Sequence, residues 1–237
     1  MLNKILLVIP TLNEKKNIIL ITNKLLKLYK DIKILVVDDS NSSFKRPKKL
    51  NKKVSFIHRK NQKGRCSAVL YGFKIGLQKK FNIFIEMDAD FSHNPNELKR
   101  NIKFFNKQKL DLLISSRYLK KSKIINWSLS RKVLSFLSNF LAELLLSANL
   151  TDYTNGYRIY SKDSVRIITK NCGLISNSFI TLSDIIITLK NRNKKIDEID
   201  SIFINRVRGD SNVNFLMVLN SLFGLLKLFI YKRIFKF

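Results

Sequence analysis

The feature that most restricts the fold of this chain is a regular alternation of short apolar runs and amphipathic stretches in its first half. The apolar runs predict strands at Lys4 to Pro10, Ile32 to Val37, Val54 to His58, Ile83 to Met87 and Leu110 to Ser115. Apolar residues at helical spacing predict helices at Lys15 to Tyr29, Ser67 to Lys79 and Pro95 to Phe105. Strands that alternate with helices predict an α/β domain with a doubly wound, mostly parallel sheet.

Two carboxylates follow one of these predicted strands. Asp88 and Asp90 come directly after the run at Ile83 to Met87, separated by one small residue. From extended backbone both would point the same way, and carboxylates that close repel unless a proton or a cation lies between them. Mg²⁺ and Mn²⁺ combine carboxylate oxygens with water and substrate phosphates. The pair therefore predicts a divalent-cation site that holds a diphosphate.

A helix start follows the acidic pair. Asn94 is the predicted N-cap, Pro95 takes the first helical position and Glu97 is predicted to close a capping box. Strand, acidic turn and helix start thus form one unit at the carboxyl end of a strand. Open α/β sheets bind their ligands at this edge.

The second half of the chain is less regular. A strand is predicted at Gly156 to Tyr160, a helix at Phe179 to Lys190 and a strand at Lys195 to Val207. Two longer apolar segments, Leu129 to Leu150 and Asn214 to Tyr231, complete the pattern. The predicted division is an α/β domain at 1–212 and a basic, amphipathic helix at the membrane interface at 213–237.

Neither apolar segment predicts a membrane span, which needs about 20 nearly uninterrupted apolar residues. Glu143 interrupts the first segment, and Asn220, Gly224 and Lys227 interrupt the second. Apolar stripes beside basic residues favour helices that lie in the membrane interface, while ordinary core helices are the alternative. The basic residues in question are Arg131, Lys132, Lys227, Lys232 and Arg233.

The charge of the chain indicates a polyanionic partner. The sequence has 45 Lys and Arg against 17 Asp and Glu, a formal net charge of +28. Nucleic acid or an anionic membrane would suit that charge, although a general compositional bias toward Lys, Asn, Ile and Phe explains part of it. Two distant cysteines and two histidines exclude a disulfide framework and a His-rich metal site, and fit a reducing compartment. The apolar run at Ile5 to Ile9 is too short for a signal-peptide core.

Several motifs in order resemble the family 2 glycosyltransferases, which have a GT-A fold. In the first half these are Pro10-Thr11-Leu12-Asn13-Glu14, Asp38-Asp39-Ser40, Lys63-Gly64 and Asp88-Ala89-Asp90. The second half is similar to the dolichol-phosphate mannosyltransferase branch and other polyprenyl-phosphate hexose transferases. Its motifs are Ser116-Arg117-Tyr118, Trp127 with Arg131 and Ser135, Asp152 to Arg158, and Arg206-x-x-Gly209-x-Ser211.

The resemblance implies an inverting transfer of a hexose, with mannose preferred, from GDP-mannose or a UDP-hexose to a polyprenyl phosphate. It implies a peripheral enzyme on the cytoplasmic face of an anionic membrane, with Mg²⁺ or Mn²⁺ as cofactor and no nucleic-acid partner. The implied cation ligands are Asp88 and Asp90, and the implied acceptor-phosphate residues are Arg117, Arg131 and Ser135. Catalysis would rest on Asp88, Asp90, Arg117 and Arg131. The implied donor-binding residues are Pro10, Leu12, Glu14, Asp38, Asp39, Lys63 and Arg206.

A phosphate acceptor would explain why no dedicated base is evident. A phosphate monoester has a second pKa of about 6 and is already largely anionic at neutral pH. One alternative is a saccharide or protein hydroxyl acceptor, with Asp152 or Asp184 as general base. Another is a basic module that binds nucleic acid or membrane without catalysis.

The sequence departs from the family pattern around the nucleotide. Asn41-Ser42-Ser43-Phe44 replaces the usual Asp-Gly pair after the second strand, and Gly64-Arg65-Cys66 replaces Gly-Leu-Gly. Asn212 stands where a Lys is usual, and Asp184 where a Glu is usual. The resemblance therefore specifies the cation pair and the acceptor residues more closely than the nucleotide pocket.

Overall fold

The computed structural model describes residues 4–41, 45–60, 64–173, 180–205 and 223–234. The helices are α1 (Lys15–Leu28), α2 (Arg65–Gln78), α3 (Leu98–Gln108), α4 (Leu129–Leu146), α5 (Lys162–Asn171) and α6 (Ile180–Lys190). The strands are β1 (Ile5–Thr11), β2 (Ile32–Asp38), β3 (Ser55–His58), β4 (Ile83–Glu86), β5 (Leu112–Ser116), β6 (Lys123–Ile125), β7 (Arg158–Ser161), β8 (Ile196–Asp200) and β9 (Ile202–Ile204).

A seven-stranded sheet organises the molecule, in the order β3-β2-β1-β4-β7-β5-β8. β1 is parallel to β2 and β4, β2 is parallel to β3, and β5 is parallel to β8. β7 lies between β4 and β5 and is antiparallel to both. The prediction of a mostly parallel α/β sheet is confirmed. β6 and β9 form a separate parallel pair.

Apolar side chains are buried on both faces of the sheet, because successive residues of a strand point to opposite sides. Leu7 and Ile9 of β1 belong to a core shared with α1 and α3. Leu6 and Val8 belong to a second core shared with α2, α5 and α6. Helices therefore cover both faces, as predicted for a doubly wound sheet. This arrangement brings the carboxyl ends of β1, β2 and β4 to one edge, where ligands bind in such folds.

Some local predictions are wrong. The strand predicted at Lys195 to Val207 is divided into β8 and β9, which pair with different strands, and the sequence did not predict β6 or α5. Asn94 does cap the first turn by accepting from the Asn96 amide. Glu97 does not close a capping box, because its carboxylate accepts from Ser201 Oγ at 2.6 Å and from the Ile202 amide at 2.9 Å. Glu97 therefore fixes the turn between β8 and β9.

The C-terminal segment packs against the α/β domain where it is described. Residues 223–228 are α-helical and Phe229–Ile234 form a π-helical segment. Leu225 and Leu228 are buried in the same core as Ala142 and Leu146 of α4. The predicted boundary between residues 212 and 213, together with Lys63 and Arg206, lies outside the described residues.

Two further observations concern the predicted membrane contact. Among the helices that the structure describes, none is long and apolar enough to cross a membrane. Lys232, predicted to lie beside an anionic leaflet, points inward instead. Its ammonium lies 3.6 Å from Asp184 Oδ1 and donates to the Asn171 carbonyl at 3.2 Å. The expectation for this one basic residue is wrong, because its side chain fixes the C-terminal segment to the body.

Candidate active site

The amino-terminal motif lies at the carboxyl end of β1, beside the end of β2. Pro10 is buried within β1, Leu12 is exposed, and Glu14 is half-buried directly before α1. Asn13 has a left-handed backbone with a φ of 58°, and its amide donates to Ser40 Oγ at 2.7 Å. This hydrogen bond ties the turn after β1 to the turn after β2. Two segments predicted to bind the nucleotide therefore lie side by side.

The two carboxylates at the end of β2 have separate partners. Asp38 accepts from Ser40 Oγ at 2.6 Å and lies 2.7 Å from His58 Nδ1. Asp39 accepts from Arg59 Nε and Nη2, each at 2.6 Å, and from the Gly64 amide at 3.0 Å. Both carboxylates are buried. Their hydrogen bonds fix their orientation, while their role in binding the nucleotide stays a prediction.

Arg65 is a buried cation that holds Asp88. Its Nε donates to Asp88 Oδ1 at 2.8 Å, its Nη1 to Glu86 Oε2 at 3.1 Å and its Nη2 to the Gly156 carbonyl at 3.0 Å. Burial alone would lower the pKa of Arg65, but the charges of Asp88 and Glu86 raise this pKa well above its usual value. Arg65 is therefore a permanent cation beside a carboxylate that keeps 29% of its side chain exposed.

Gly156 is required by the close approach of Arg65. A Cβ atom at this position would lie 1.8 Å from Arg65 Nη2, well inside van der Waals contact. The loop that precedes β7 and the turn that carries the acidic pair are thus connected through one guanidinium.

Asp90 is more enclosed than Asp88. Its Oδ1 accepts from the Ser92 amide at 3.0 Å, and Phe91 between them has a left-handed backbone with a φ of 64°. The acidic pair is therefore part of a tight turn directly after β4. The arrangement offers two hard carboxylate donors in one short segment.

A chain of hydrogen bonds connects this turn to Asp152. The Asp88 amide donates to His93 Nδ1 at 3.1 Å, so this nitrogen carries no proton. His93 Nε2 therefore donates to the side-chain oxygen Oδ1 of Asn155 at 2.9 Å. The backbone amide of Asn155 donates in turn to Asp152 Oδ1 at 2.9 Å. Both ring nitrogens of His93 are engaged in hydrogen bonds. This histidine is a structural link between the two parts of the site.

Arg117 forms a buried, bidentate ion pair with Asp152. Its Nε and Nη2 each donate to one carboxylate oxygen at 2.7 Å. Burial alone would lower the pKa of Arg117, but Asp152 raises it above its usual value, and the Asp88 charge adds to that rise. Asp88 and Arg117 are thus within electrostatic reach of each other.

Arg131 and Ser135 join Arg117 around two aromatic rings. The guanidinium carbon of Arg131 lies 4.1 Å from the centroid of the Trp127 ring, and that of Arg117 lies 5.5 Å from it. Tyr118 donates its hydroxyl to Ser135 Oγ at 2.6 Å, and its ring centroid lies 5.5 Å from the Arg117 guanidinium. We call these five residues the acceptor cluster. The structure brings the three predicted acceptor residues together, while their role stays a prediction.

Neither carboxylate considered as a general base is suited to that role. Burial alone would raise the pKa of Asp152, but Arg117 lowers it below its usual value, which makes Asp152 a weak base. Burial raises the pKa of Asp184. However, Asp184 accepts from the Gly173 amide at 3.0 Å and pairs with Lys232. It is therefore committed to holding the C-terminal segment.

A cation at this site would rely on few protein ligands. In the part of the chain that the structure describes, no group of three or more His, Cys, Asp or Glu side chains could hold a metal ion. Asp88 and Asp90 supply hard oxygen donors only. Such a donor set fits Mg²⁺ or Mn²⁺, which keep several water or substrate-phosphate ligands.

Sequence reasoning missed the partners of the predicted residues. Arg65 appeared only as a departure from the family pattern, although Glu86 in an otherwise apolar strand was a usable signal. A buried carboxylate needs a cation or several donors, and Arg65 together with the Tyr160 hydroxyl supplies them. Trp127 appeared only as a motif residue, and nothing in the sequence shows that it lies between two arginines.

Comparison with proteins of known sequence places this geometry in context. The model of the family described as "Glycosyl transferase family 2" matches residues 6–168. The chain is 31% identical over 216 residues to an undecaprenyl-phosphate mannosyltransferase of Micrococcus luteus, covering 89% of this chain and 88% of that protein. It is 34% identical over 168 residues to a polyprenol monophosphomannose synthase of Mycolicibacterium smegmatis, covering 67% of this chain and 62% of that protein.

Solved structures support the fold. Glucosyl-3-phosphoglycerate synthase from Mycobacterium tuberculosis, in complex with Mn²⁺, UDP and glucosyl-3-phosphoglycerate, superposes with a TM-score of 0.70 at 13% identity. The superposition covers 95% of this chain and 79% of that chain. The same enzyme with Mg²⁺ and UDP gives a TM-score of 0.68 at 14% identity, with the same coverage. The GT-A fold is thus confirmed, and the family match over most of the sequence shows that this chain belongs to glycosyl transferase family 2.

Proposed function

We propose that this enzyme transfers mannose from a nucleotide sugar to a polyprenyl phosphate. The two relatives described above, one of them aligned over nearly the whole chain, are mannosyltransferases whose names specify polyprenyl acceptors. The resemblance of the second-half motifs to that branch agrees with the names. The donor is GDP-mannose in the preferred version of the proposal, and a UDP-hexose is its alternative.

The observation that carries the proposal is the composition of the acceptor cluster. Arg117, Arg131 and Ser135 combine two guanidiniums with a hydroxyl, and the N–H groups of a charged guanidinium form strong hydrogen bonds to phosphate oxygens. The cluster lies at the start of α4, whose Ser128 N-cap accepts from the Arg131 amide. The positive end of the helix dipole adds to the attraction for an anion there.

The outward face of α4 offers an apolar surface for the hydrocarbon chain of the lipid acceptor. Large apolar side chains are exposed on this helix at spacings of three and four residues, among them Leu129 at 76% and Phe140 at 56%. The others are Val133, Leu134, Phe136, Leu137 and Leu144. Because α4 begins at the acceptor cluster, a lipid could rest its chain on this face while its phosphate reaches the arginines. Exposed apolar patches of this kind favour contact with a membrane surface.

The C-terminal segment also exposes large apolar side chains. Phe223, Leu226, Ile230 and Tyr231 are exposed, and Leu225 and Leu228 pack with α4 in the core. These side chains support contact with a membrane surface through α4 and this segment together. We propose that this surface is the cytoplasmic face of an anionic membrane.

The chemistry needs no separate base. An oxygen of the acceptor phosphate forms a bond to the anomeric carbon, while the bond from that carbon to the diphosphate oxygen breaks. The electron pair of the breaking bond leaves with the nucleoside diphosphate, and a single displacement inverts the configuration. The protein aligns the two substrates and neutralises charge, which are contributions of positioning and electrostatics.

The charges of the crevice fit this reaction. Asp88 and Asp90 would hold a Mg²⁺ or Mn²⁺ ion, which neutralises the departing diphosphate when bound. Arg65 fixes Asp88 through the hydrogen bond at 2.8 Å. Arg117 and Arg131 would hold the attacking phosphate on the other side of the anomeric carbon. The carboxylates thus serve the leaving group, and the arginines serve the nucleophile.

The test is transfer by the purified protein from a panel of labelled nucleotide sugars to a polyprenyl phosphate in detergent, with Mg²⁺ or Mn²⁺. We expect label in the organic phase with a mannose donor, as a product that mild acid releases. Absence of organic-phase label with every donor would contradict the proposal. Transfer from a glucose donor alone would correct the sugar while leaving the acceptor in place.

A further inference from the structure

Trp127 occupies the centre of the acceptor cluster. It lies two residues after β6 and directly before the Ser128 N-cap of α4, with 8% of the residue exposed. Phe203 of β9 contacts it edge to face at a centroid distance of 5.2 Å. The indole is therefore held by β9 on one side and by the start of α4 on the other.

Both arginines of the cluster lie close to this indole ring. The Arg131 guanidinium is 4.1 Å from the ring centroid and that of Arg117 is 5.5 Å from it. Two guanidiniums near one another repel, and an aromatic face attracts cations through its quadrupole. The ring thus offsets part of the repulsion between the two cations. Arg131 is held from a second direction by Asn205 Oδ1, which accepts from Nη1 at 2.9 Å.

Among the residues that the structure describes, none forms a hydrogen bond with the polar atom of Trp127. Its Nε1 is buried and, among the described residues, meets no acceptor. A buried N–H donor that stays unpaired is costly, and buried tryptophan N–H groups usually find a partner. The ring's identified neighbours offer none, because guanidiniums and Phe203 cannot accept a hydrogen bond. An acceptor with oxygen atoms that enters the cluster would satisfy this donor.

We propose that Trp127 is an acceptor-binding residue, whose indole N–H donates to an oxygen of the lipid phosphate while its ring holds Arg117 and Arg131 in position. This inference rests on the proposed function, which supplies the phosphate. In water-poor surroundings a hydrogen bond from a neutral donor to a charged oxygen is stronger than one between neutral groups. One side chain thus contributes both a platform for two cations and a direct contact to the anion between them.

The experiment uses the fact that Trp127 is the single tryptophan of the chain. Replacing it with 3-benzothienylalanine exchanges the N–H for sulfur and keeps the size and the aromatic face of the ring. Replacing it with a fluorinated tryptophan keeps the N–H and weakens the attraction of the ring face for cations. The KM for polyprenyl phosphate, the KM for the nucleotide sugar and kcat are measured for each protein, with thermal unfolding as the check on folding.

We expect the sulfur analogue to raise the KM for polyprenyl phosphate about 10- to 100-fold, the range for losing one hydrogen bond to a charged group. The KM for the nucleotide sugar should stay unchanged, which a merely structural defect would not achieve. The fluorinated protein should bind the acceptor with a smaller loss that grows with each added fluorine. An unchanged acceptor KM in the sulfur analogue would overturn the inference while the proposed function stands.

Fluorescence separates this inference from the proposed function. The emission of the single tryptophan should change on titration of the wild-type enzyme with a short-chain polyprenyl phosphate, and also with inorganic phosphate at higher concentration. This readout needs no turnover. An emission spectrum that changes with neither ligand would contradict the inference. A response to phosphate without mannose transfer would support the contact and overturn the proposed function.

Discussion

The two ends of the crevice handle charge in opposite ways. At the donor end, formed by the carboxyl ends of β1 to β4, three carboxylates each hold a basic side chain: Asp38 with His58, Asp39 with Arg59, and Asp88 with Arg65. At the acceptor end the buried pair Arg117 and Asp152 lies beside a second arginine, Arg131, which stacks on Trp127. The donor end is thus rich in carboxylates whose orientation is fixed by basic side chains, whereas the acceptor end brings two guanidiniums to one aromatic ring.

The difference matches the two ligands proposed for the site. A diphosphate brings a divalent cation with it, so a donor end of oriented carboxylates suits it. A lipid phosphate arrives as an anion without a cation, so it needs the positive charge to come from the protein. The comparison shows that the ligand suited to each end depends on the partners that hold the charged side chains, as well as on the charges themselves.

The largest expected effect is on the buried pair at the acceptor end. Arg117→Ala leaves Asp152 buried without its partner, which should lower the free energy of unfolding by about 3–5 kcal/mol. Arg166→Ala is the matched control, because Arg166 and Asp163 form an exposed pair at 2.9 Å within α5. Exposed pairs at helical spacing contribute less than about 0.5 kcal/mol. Equal losses for both variants in urea titrations would show that the buried pair has no special role.

The next effect is on the cation site. Asp88→Asn and Asp90→Asn should each reduce kcat about 100- to 1000-fold, the range for removing one preorganised electrostatic contact to the departing group. EDTA should abolish wild-type turnover, and Mg²⁺ or Mn²⁺ should restore it. Asp163→Asn changes an exposed carboxylate on α5 and should leave kcat unchanged. Undiminished transfer by both variants of the pair, or in EDTA, would refute the cation site.

A smaller effect tests the connection between Arg65 and Asp88. Gly156→Ala places a methyl group where Arg65 Nη2 now lies, and overpacking of this kind costs about 1–3 kcal/mol. The guanidinium must withdraw, so Asp88 loses its fixed orientation and kcat should fall as well. In an Arg65→Ala background the same glycine replacement should cost almost nothing. A full cost in that background, measured in a double-mutant cycle, would show that the strain arises elsewhere.

The smallest effect concerns the membrane surface. Lys227 is exposed, whereas Lys232 is enclosed with Asp184. Lys227→Gln should therefore weaken binding to anionic vesicles by about 1 kcal/mol, and this part should disappear at high salt. Lys232→Gln should leave vesicle binding unchanged but lower the unfolding temperature. The reverse pattern would mean that the C-terminal segment is oriented differently from this account.

The sequence was sufficient for the elements that depend on local periodicity. β1, α1, β2, β4 and α4 lie within a few residues of their predicted positions, because each has a continuous apolar pattern. The acidic pair and the three acceptor residues were predicted from ordered motifs. β9 and β6 are short, three-residue strands whose pairing depends on distant contacts. Periodicity over so few residues carries no usable signal.

The sequence could not predict which distant residues pair with each other in the fold. Arg65 and Gly156 lie 91 positions apart, and Arg117 and Asp152 lie 35 apart. No local pattern shows which carboxylate a given arginine meets. For the same reason Lys232 looked like a surface residue, although the fold turns it toward Asp184 in α6.

The central claim is that a lipid phosphate, rather than a hydroxyl group, is the nucleophile held at the acceptor end. The most direct measurement supplies the purified enzyme with one mannose donor and one polyprenol chain, presented either as the phosphate or as the free alcohol. We expect organic-phase mannose with the phosphate only, and a loss of that product in Arg131→Ala that leaves the donor KM unchanged. Equal transfer to the free alcohol, or an Arg131→Ala enzyme that uses the phosphate as well as the wild type does, would contradict it.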